Sequence, residues 1–413
     1  MKNSFLFILL LFAISYCLEL SNQGDNYIIA VYKISEPQTM KIINSYEKSF
    51  DEGEMLSPFD DSYRNAWQIR DCQIYVNGEK INSSYFSYTY FFPAKGVYTI
   101  KFEFNQLFRS TSHMFFRINV NAIDLYHFNT NNVLYMNYMF AMAKSLESIN
   151  LKNLNTENVE EMEGMFRFSE NLQSIDLASF NTPNLRKVSS LFLDCTFLET
   201  IKNMNLNTSK VSDFKFMFRN CFSIKELDVS KLDTKNAETM KDMFRGCESL
   251  TSLDLTNFDT SSVTEMSGMF YHCTSLKSLD LRNFNTKQVN KMNIMFTGCS
   301  SLFSLDLHNF NTEKVKRMEG MFCACESLAF LNLSNWNTEK VTEMNEMFAF
   351  CYSLTSLDLS GFSTSNVYTM NSMFYDCKSL KKLNLTNFDF NQVKDKEEMF
   401  DGCPAEIIMK NEE

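Results

Sequence analysis

Phe140, Phe166, Phe192, Phe218, Phe244, Phe270, Phe296, Phe322, Phe348, Phe374 and Phe400 stand 26 residues apart, ten intervals without an insertion or deletion. A fixed period of this length is the mark of a stacked repeat architecture. Read by columns, eleven coils start near Val120, Leu146, Leu172, Leu198, Ile224, Leu250, Leu276, Leu302, Leu328, Leu354 and Leu380. In the coil Leu250–Ser275, Leu253 and Leu255 flank Asp254, the alternation of a short strand with one face buried. Phe258, Val263, Met266, Met269, Phe270 and Cys273 complete its apolar set. One such unit cannot bury its apolar side alone, whereas stacked units bury each other's faces. Parallel pairing at about 4.8 Å per coil predicts a rod of about 50 Å. An Asn/Asp-Thr pair follows the strand in most coils, as at Asn181-Thr182, Asp259-Thr260, Asn311-Thr312 and Asn337-Thr338. Asx side chains bond their own backbone two residues on, so the pair reads as a recurrent corner.

The motif Met-Phe-x-x-Cys-x-Ser-Leu-x-x-Leu-Asp-Leu stands at Met269–Leu281, Met295–Leu307 and Met347–Leu359. It resembles the 26-residue variant of the BspA-type leucine-rich-repeat surface proteins, over residues 120 to 405. The resemblance implies a right-handed leucine-rich-repeat-like parallel β solenoid, secretion or surface display, and binding or adhesion rather than catalysis. It brings no catalytic residues with it. Ala143 and Ser169 replace the cysteine in the first two coils, and Phe390 and Lys396 replace the usual Thr and Met in the last. Atypical terminal coils read as caps. Asn203 replaces a strand leucine and predicts a local irregularity.

Residues 18–112 lack the period and are expected to form a small antiparallel, sandwich-like β domain that caps the solenoid. Tyr27–Ile34, Cys72–Val76 and Val97–Phe104 are rich in β-branched and aromatic residues. Asn77-Gly78 is a hairpin signal. Tyr85–Phe92, the loop Pro93-Ala94-Lys95-Gly96 and Val97–Phe104 suggest a second hairpin. The acidic stretch Asp51–Asp61 carries Asp51, Glu52, Glu54, Asp60 and Asp61, and charge runs of this kind are usually solvated loops. The solenoid is expected over 113–405, with a polar tail at 406–413.

Residues 1–17 read as a signal peptide: Lys2, an apolar run Phe5–Ile14 too short to span a bilayer, then Ser15 and Cys17 before a cut at Leu18. Tyr16 argues against lipid attachment at Cys17. No later apolar run predicts a membrane span in the mature chain, and the tail does not resemble a lipid-anchor signal.

Nine of the twelve cysteines share one column, Cys195 to Cys403. Equivalent places in successive coils put their Cβ atoms farther apart than a bridge prefers, so burial as small apolar residues is expected, with a few strained bridges as the rival. The recurrent methionines read as adaptable core filling. His113, His127, His272 and His308 do not cluster with cysteines at zinc-ligand spacings, and no metal or cofactor is expected. The net charge of -11 disfavours nucleic-acid partners. No G-x-S-x-G, H-E-x-x-H or phosphate-loop motif occurs, and an enzyme is not expected.

The strand-centre column reads Asn150, Asp176, Lys202, Asp228, Asp254, Asp280, Asp306, Asn332, Asp358 and Asn384. These side chains should point outward, onto the inner curve of a solenoid, the surface that solenoids use for binding. Asp228, Asp254, Asp280, Asp306 and Asp358, with Arg282 and His308 beside them, are the candidate partner-binding residues. Ser252, Ser278, Ser304 and Ser356 could relieve the like-charge repulsion. Asn82, Asn207, Asn332 and Asn384 head N-x-Ser/Thr acceptors. The expected function is a secreted or surface-associated recognition or adhesion protein with a protein or glycan partner, on a host or neighbouring cell. A self-associating coat component and a carbohydrate-binding or enzymatic N-terminal β domain are the alternatives.

Overall fold

The computed structural model describes residues 26–51, 60–81 and 88–409. The signal segment, Glu52 and Glu54 of the acidic stretch, Asn82 and residues 410–413 lie outside them.

Repetition makes every coil see the same neighbours, so each sequence column becomes a physical ladder. The phenylalanine column is a stack of rings with centroids 5.5 to 5.9 Å apart and planes within 3 to 15° of parallel. Fully buried methionines, such as Met266 and Met269, pack beside it. The stack begins earlier than the sequence period indicates. Phe115 stacks on Phe140 although it lies 25 residues before it, and Ser110 bridges in parallel to Tyr135. One missing residue had moved this first partial coil out of the 26-residue column.

The residues two before and two after each phenylalanine have positive φ, as at Gly268 (62°) and His272 (55°). This turns their N–H groups along the stacking axis. Gly268 donates to the Asn293 carbonyl at 3.1 Å and His272 to that of Thr297 at 2.7 Å, both in the next coil. Side chains as large as Phe216 and Ile294 accept the same strained backbone because the ladder over-determines it.

The Asn/Asp-Thr corner divides its work. The Asn285 carboxamide oxygen accepts from Lys287 N at 3.2 Å and closes its own coil. The buried Thr286 hydroxyl donates to the Asn311 carbonyl at 3.0 Å and accepts from Asn311 N at 2.7 Å, tying its coil to the next. The second parallel ladder adds matched charges in register, including Lys187–Glu161 at 2.9 Å and Arg317–Glu343 at 3.1 Å.

The cysteines of the column are free thiols. Cys273 Sγ donates to the Phe244 carbonyl at 3.1 Å, and the other fully buried members repeat the bond at 3.0 to 3.3 Å. Ser169, standing in for cysteine, makes the same bond to Phe140 at 2.9 Å. Burial pushes the thiols upward, to about 12 at Cys247 and Cys299, so they stay protonated donors. Cys273→Ser should therefore cost less than Cys273→Val, which strands the Phe244 carbonyl, by about 1 kcal/mol or more in denaturant unfolding. Equal losses would show that the thiol acts only as volume.

The N-terminal segment is built on one mixed sheet. β1 (Tyr27–Ile34) is buried along its length except at Lys33. It pairs antiparallel with β6 (Gly96–Glu103) on one edge and with β7 (Ala122–Asp124), the first coil strand, on the other. β7 continues in parallel to β8 (Ser148–Asn150). The antiparallel sheet thus covers the open edge of the solenoid through main-chain hydrogen bonds, a contact that the sequence did not specify. β3 (Gln73–Val76) and β4 (Glu79–Lys80) form the expected hairpin, with Asn77 and Gly78 both at positive φ as a type I′ turn needs.

The second expected hairpin is not formed. β5 (Thr89–Phe92) pairs with β2 (Gln38–Lys41) as a separate two-stranded ribbon. Both edges of β6 are taken, by β1 and β3, so no edge is left for β5. At the other end, Glu406–Ile408, grouped with the polar tail by sequence, adds a last parallel strand to Lys382–Asn384.

Candidate functional site: the strand face

Each coil strand is three residues long; its middle residue is buried at Ile175, Leu305, Leu357 and Leu383 and half-buried at Ile149, Ile201 and Leu331. Asp176, Asp306 and Asp358 end such strands with exposed side chains, as the alternation predicts. In the coils of Asp228, Asp254 and Asp280 the same columns keep their burial, with Leu253 and Leu255 inside and the aspartates outside. Inter-coil contacts there are long, as Lys277 N to the Thr251 carbonyl at 3.5 Å. The irregularity expected at Asn203 is present. Asn203 takes a φ of 53° and donates Nδ2 to Asp176 Oδ1 at 2.8 Å.

The aspartates do a local job first. Asp228 accepts from Ser230 N at 2.9 Å, Asp254 from Thr256 N at 3.0 Å, Asp280 from Arg282 N at 3.1 Å, Asp306 from His308 N at 3.2 Å and Asp358 from Ser360 N at 2.9 Å. Asn332 and Asn384 make the same bond, to Ser334 and Thr386, each at 3.2 Å. The column is Asx because these strands end in an Asx turn; Lys202, which ends the strand Thr200–Lys202, is the exception. At Asp228 and Asp254 these bonds also favour the ionised carboxylate. The hydroxyl and main-chain donors of Ser230 and Thr256 lower Asp228 and Asp254, and the Arg282 guanidinium takes Asp280 to about 2.

Relief of repulsion comes from the two basic neighbours. Arg282 forks onto Asp280 at 2.6 Å through Nη2 and 2.9 Å through Nε, and His308 Nδ1 lies 2.9 Å from Asp306 Oδ1. Among the described residues, Ser252, Ser278, Ser304 and Ser356 make no side-chain bond to the aspartates, so the expectation placed on them fails. The next-but-one main-chain N–H supplies the bond instead. Of the acceptor asparagines, Asn207 and Asn332 are exposed and Asn384 is half-buried. Asn207 Oδ1 accepts from Ser209 N at 3.1 Å in an Asx corner.

The structure adds two residues that column reading passed over. Phe303 and Phe330 lie on this face, 56% and 64% exposed, edge to face with centroids 5.6 Å apart. The register pairs Phe330 with Ser304, two positions before the Asp306–Asn332 pair on the same two strands. The signal was available: Phe303 stands where other coils carry Thr251, Lys277 or Thr355, and Phe330 where they carry Ser252, Ser278 or Ser356. Two exposed rings in contact are an apolar patch on an otherwise polar face.

The geometry defines a leucine-rich-repeat-like solenoid of about eleven coils, preceded by a small antiparallel sheet. Residues 109–226, 197–304 and 300–408 match the family described as "Mycoplasma protein of unknown function, DUF285", and the chain belongs to that family. The matches run the length of the repeat and bear out its likeness to BspA-type repeats. No curated protein matches the sequence. Among solved structures, a leucine rich cell surface protein from Faecalibacterium prausnitzii is 17% identical, over 71% of this chain and 84% of that one, with a TM-score of 0.36. TLR13, solved in complex with ssRNA13, is 18% identical over 67% of this chain, with a TM-score of 0.19. This chain covers 47% of the TLR13 chain, about half its length. The functional domain of InlJ from Listeria monocytogenes, which includes a cysteine ladder, is 12% identical, over 67% of this chain and 66% of that one, with a TM-score of 0.17. No helix among the described residues is long and apolar enough to cross a membrane.

Proposed function

We propose that this protein is a secreted or surface-associated recognition protein whose strand face binds a basic surface of a partner protein. The observation that carries the reading is the exposed Phe303–Phe330 pair set in a column of ionised aspartates. An exposed aromatic anchor beside a row of acidic side chains is the make-up of an interface hot spot with a steering rim. Asp254 and Asp358 have no basic side chain on them among the described residues, whereas Asp280 and Asp306 are already paired. The segment 1–17 would deliver the chain to the outside, and the sheet built on β1 would close the first coil.

The test is saturable binding of the labelled chain, from residue 18 on, to intact producing cells and to foreign cells. Asp254→Asn, Asp280→Asn and Asp306→Asn together remove charge and keep the Asx turns, since Asn332 and Asn384 already make them. This triple variant should bind at least tenfold more weakly, with an unchanged melting temperature. Phe303→Ser with Phe330→Ser should weaken binding at least as much. Wild-type affinity in both variants would remove the strand face from recognition. Concentration-dependent assembly in sedimentation, with no cell binding, would favour a coat component.

A further inference from the structure

The turns that flank the phenylalanine stack carry a second, independent feature. Along the positive-φ column the side chains run Tyr138, Gly164, Ser190, Phe216. Tyr138 lays its ring across Gly164, where a Cβ would lie 2.4 Å from the ring. Ser190 then leaves a recess before Phe216. The recess is a cavity of about 420 Å³, within the usual size of a small-molecule site.

Two arginines line it, Arg167 and Arg219, two coils apart and so separated by about 10 Å at the usual strand spacing. Each guanidinium lies over an aromatic ring, Arg167 over Phe168 at 5.0 Å and Arg219 over Phe216 at 5.3 Å. Stacking fixes the plane of the fork before any ligand arrives. Both Nε atoms are buried without a hydrogen-bond partner among the described residues, so the donors that a ligand in the cavity would meet are the terminal Nη groups. Among the described residues Arg167 forms no ion pair within 4.0 Å, and Arg219 reaches Asp242 only at 3.8 Å. The acids of the same wall are engaged. Glu163 accepts from the Tyr138 hydroxyl at 2.6 Å, Asp194 from Asn220 Nδ2 at 2.7 Å, and Asp213 pairs with Lys215 at 3.3 Å. Unspent donors on stacked arginines, beside acceptors and exposed ring edges, suit one chemistry. An anionic group takes the arginine fork, hydroxyls donate to carboxylates, and a C–H face lies on a ring.

We infer that this cavity is a binding site for an acidic sugar residue, its carboxylate held by Arg167 and Arg219 and its ring seated over Ser190. The assignment does not depend on the strand-face reading, whose residues lie on a different ladder.

The full chain, isotope-labelled, is titrated with D-glucuronate, with D-glucose and with inorganic sulfate, while the arginine Nε–H resonances are followed. Arg167→Lys and Arg219→Lys each assign one resonance. Glucuronate should shift both signals saturably and bind at least tenfold more tightly than glucose or sulfate. Ser190→Phe should fill the recess and weaken binding at least tenfold, and the column accepts a phenylalanine because Phe216 occupies it at a φ of 60°. Arg167→Lys, which keeps charge but loses the fork, should weaken binding at least fivefold and decides the matter if Ser190→Phe does not fold. Indistinguishable glucuronate and glucose would overturn the assignment. Sulfate binding as tightly as glucuronate would reduce the site to a bare anion pocket and overturn the sugar. Unchanged affinity in a folded Ser190→Phe or in Arg167→Lys would place the ligand elsewhere.

Discussion

Phe270→Ala should destabilise the solenoid by about 3–5 kcal/mol, whereas Phe400→Ala should cost less than half as much. Phe270 is fully buried and stacked between Phe244 and Phe296, with centroids at 5.8 and 5.7 Å. Its removal opens a cavity that the rigid register cannot close, because neighbouring coils are held by the threonine and main-chain ladders. Phe400 ends the stack, has a ring neighbour among the described residues only at Phe374 and is half-buried. Stability in a quasi-one-dimensional array is a sum of nearest-neighbour terms, so a residue with one neighbour should cost about half of one with two. Denaturant unfolding followed by circular dichroism measures both. Equal losses would mean that the chain unfolds as one block with no end effect.

Acidification should destabilise the junction of the N-terminal sheet with the solenoid, and His113→Phe should remove much of that sensitivity. His113 is 1% exposed, and neither ring nitrogen has a hydrogen-bond partner among the described residues. It is packed against the rings of Tyr46, Phe116 and Tyr138 at 5.5, 4.8 and 5.3 Å. Burial among them takes it down to about 3, from 6.5 in the unfolded chain. The sign follows: the unfolded chain binds the proton first, so stability is full above pH 6.5 and falls as the pH drops toward 3. The slope is about 1.4 kcal/mol per pH unit in that window. Phenylalanine fits the site, since His113 has a φ of 61° and occupies the column where Phe216 stands in a later coil. Comparing the melting curves of both proteins between pH 7 and 5 isolates this residue, because both keep His127, His272 and His308 and differ only at position 113. Parallel pH dependence would mean that His113 is solvated in the native state.

The solenoid was legible because its environment repeats. A phenylalanine every 26 residues, alternation around Asp254 and Asn-Thr corners each state a local rule, and stacking turns each rule into a ladder. The partial coil at Phe115 escaped because one missing residue broke the period, although Met114-Phe115 carries the motif. The β5 pairing was misread because a hairpin signal speaks only for neighbours in sequence, while β1 and β3 had already taken both edges of β6. The aspartate column was found, but its first role, closing an Asx turn in every coil except that of Lys202, explains why asparagine alternates with aspartate there.

By itself the sequence determined the eleven regular coils, the buried columns and the outward acidic column, since these follow from periodicity and burial within one repeated unit; the partial coil at Phe115 and the last strand Glu406–Ile408 were settled by the structure. Tertiary structure alone decided which departures from the repeat meet. It placed Phe303 against Phe330, set β1 along the first coil strand, and left the stacked Arg167 and Arg219 around the space beside Ser190. Those outcomes depend on side-chain volumes and edge availability between segments 26 to 95 residues apart, which no local pattern records.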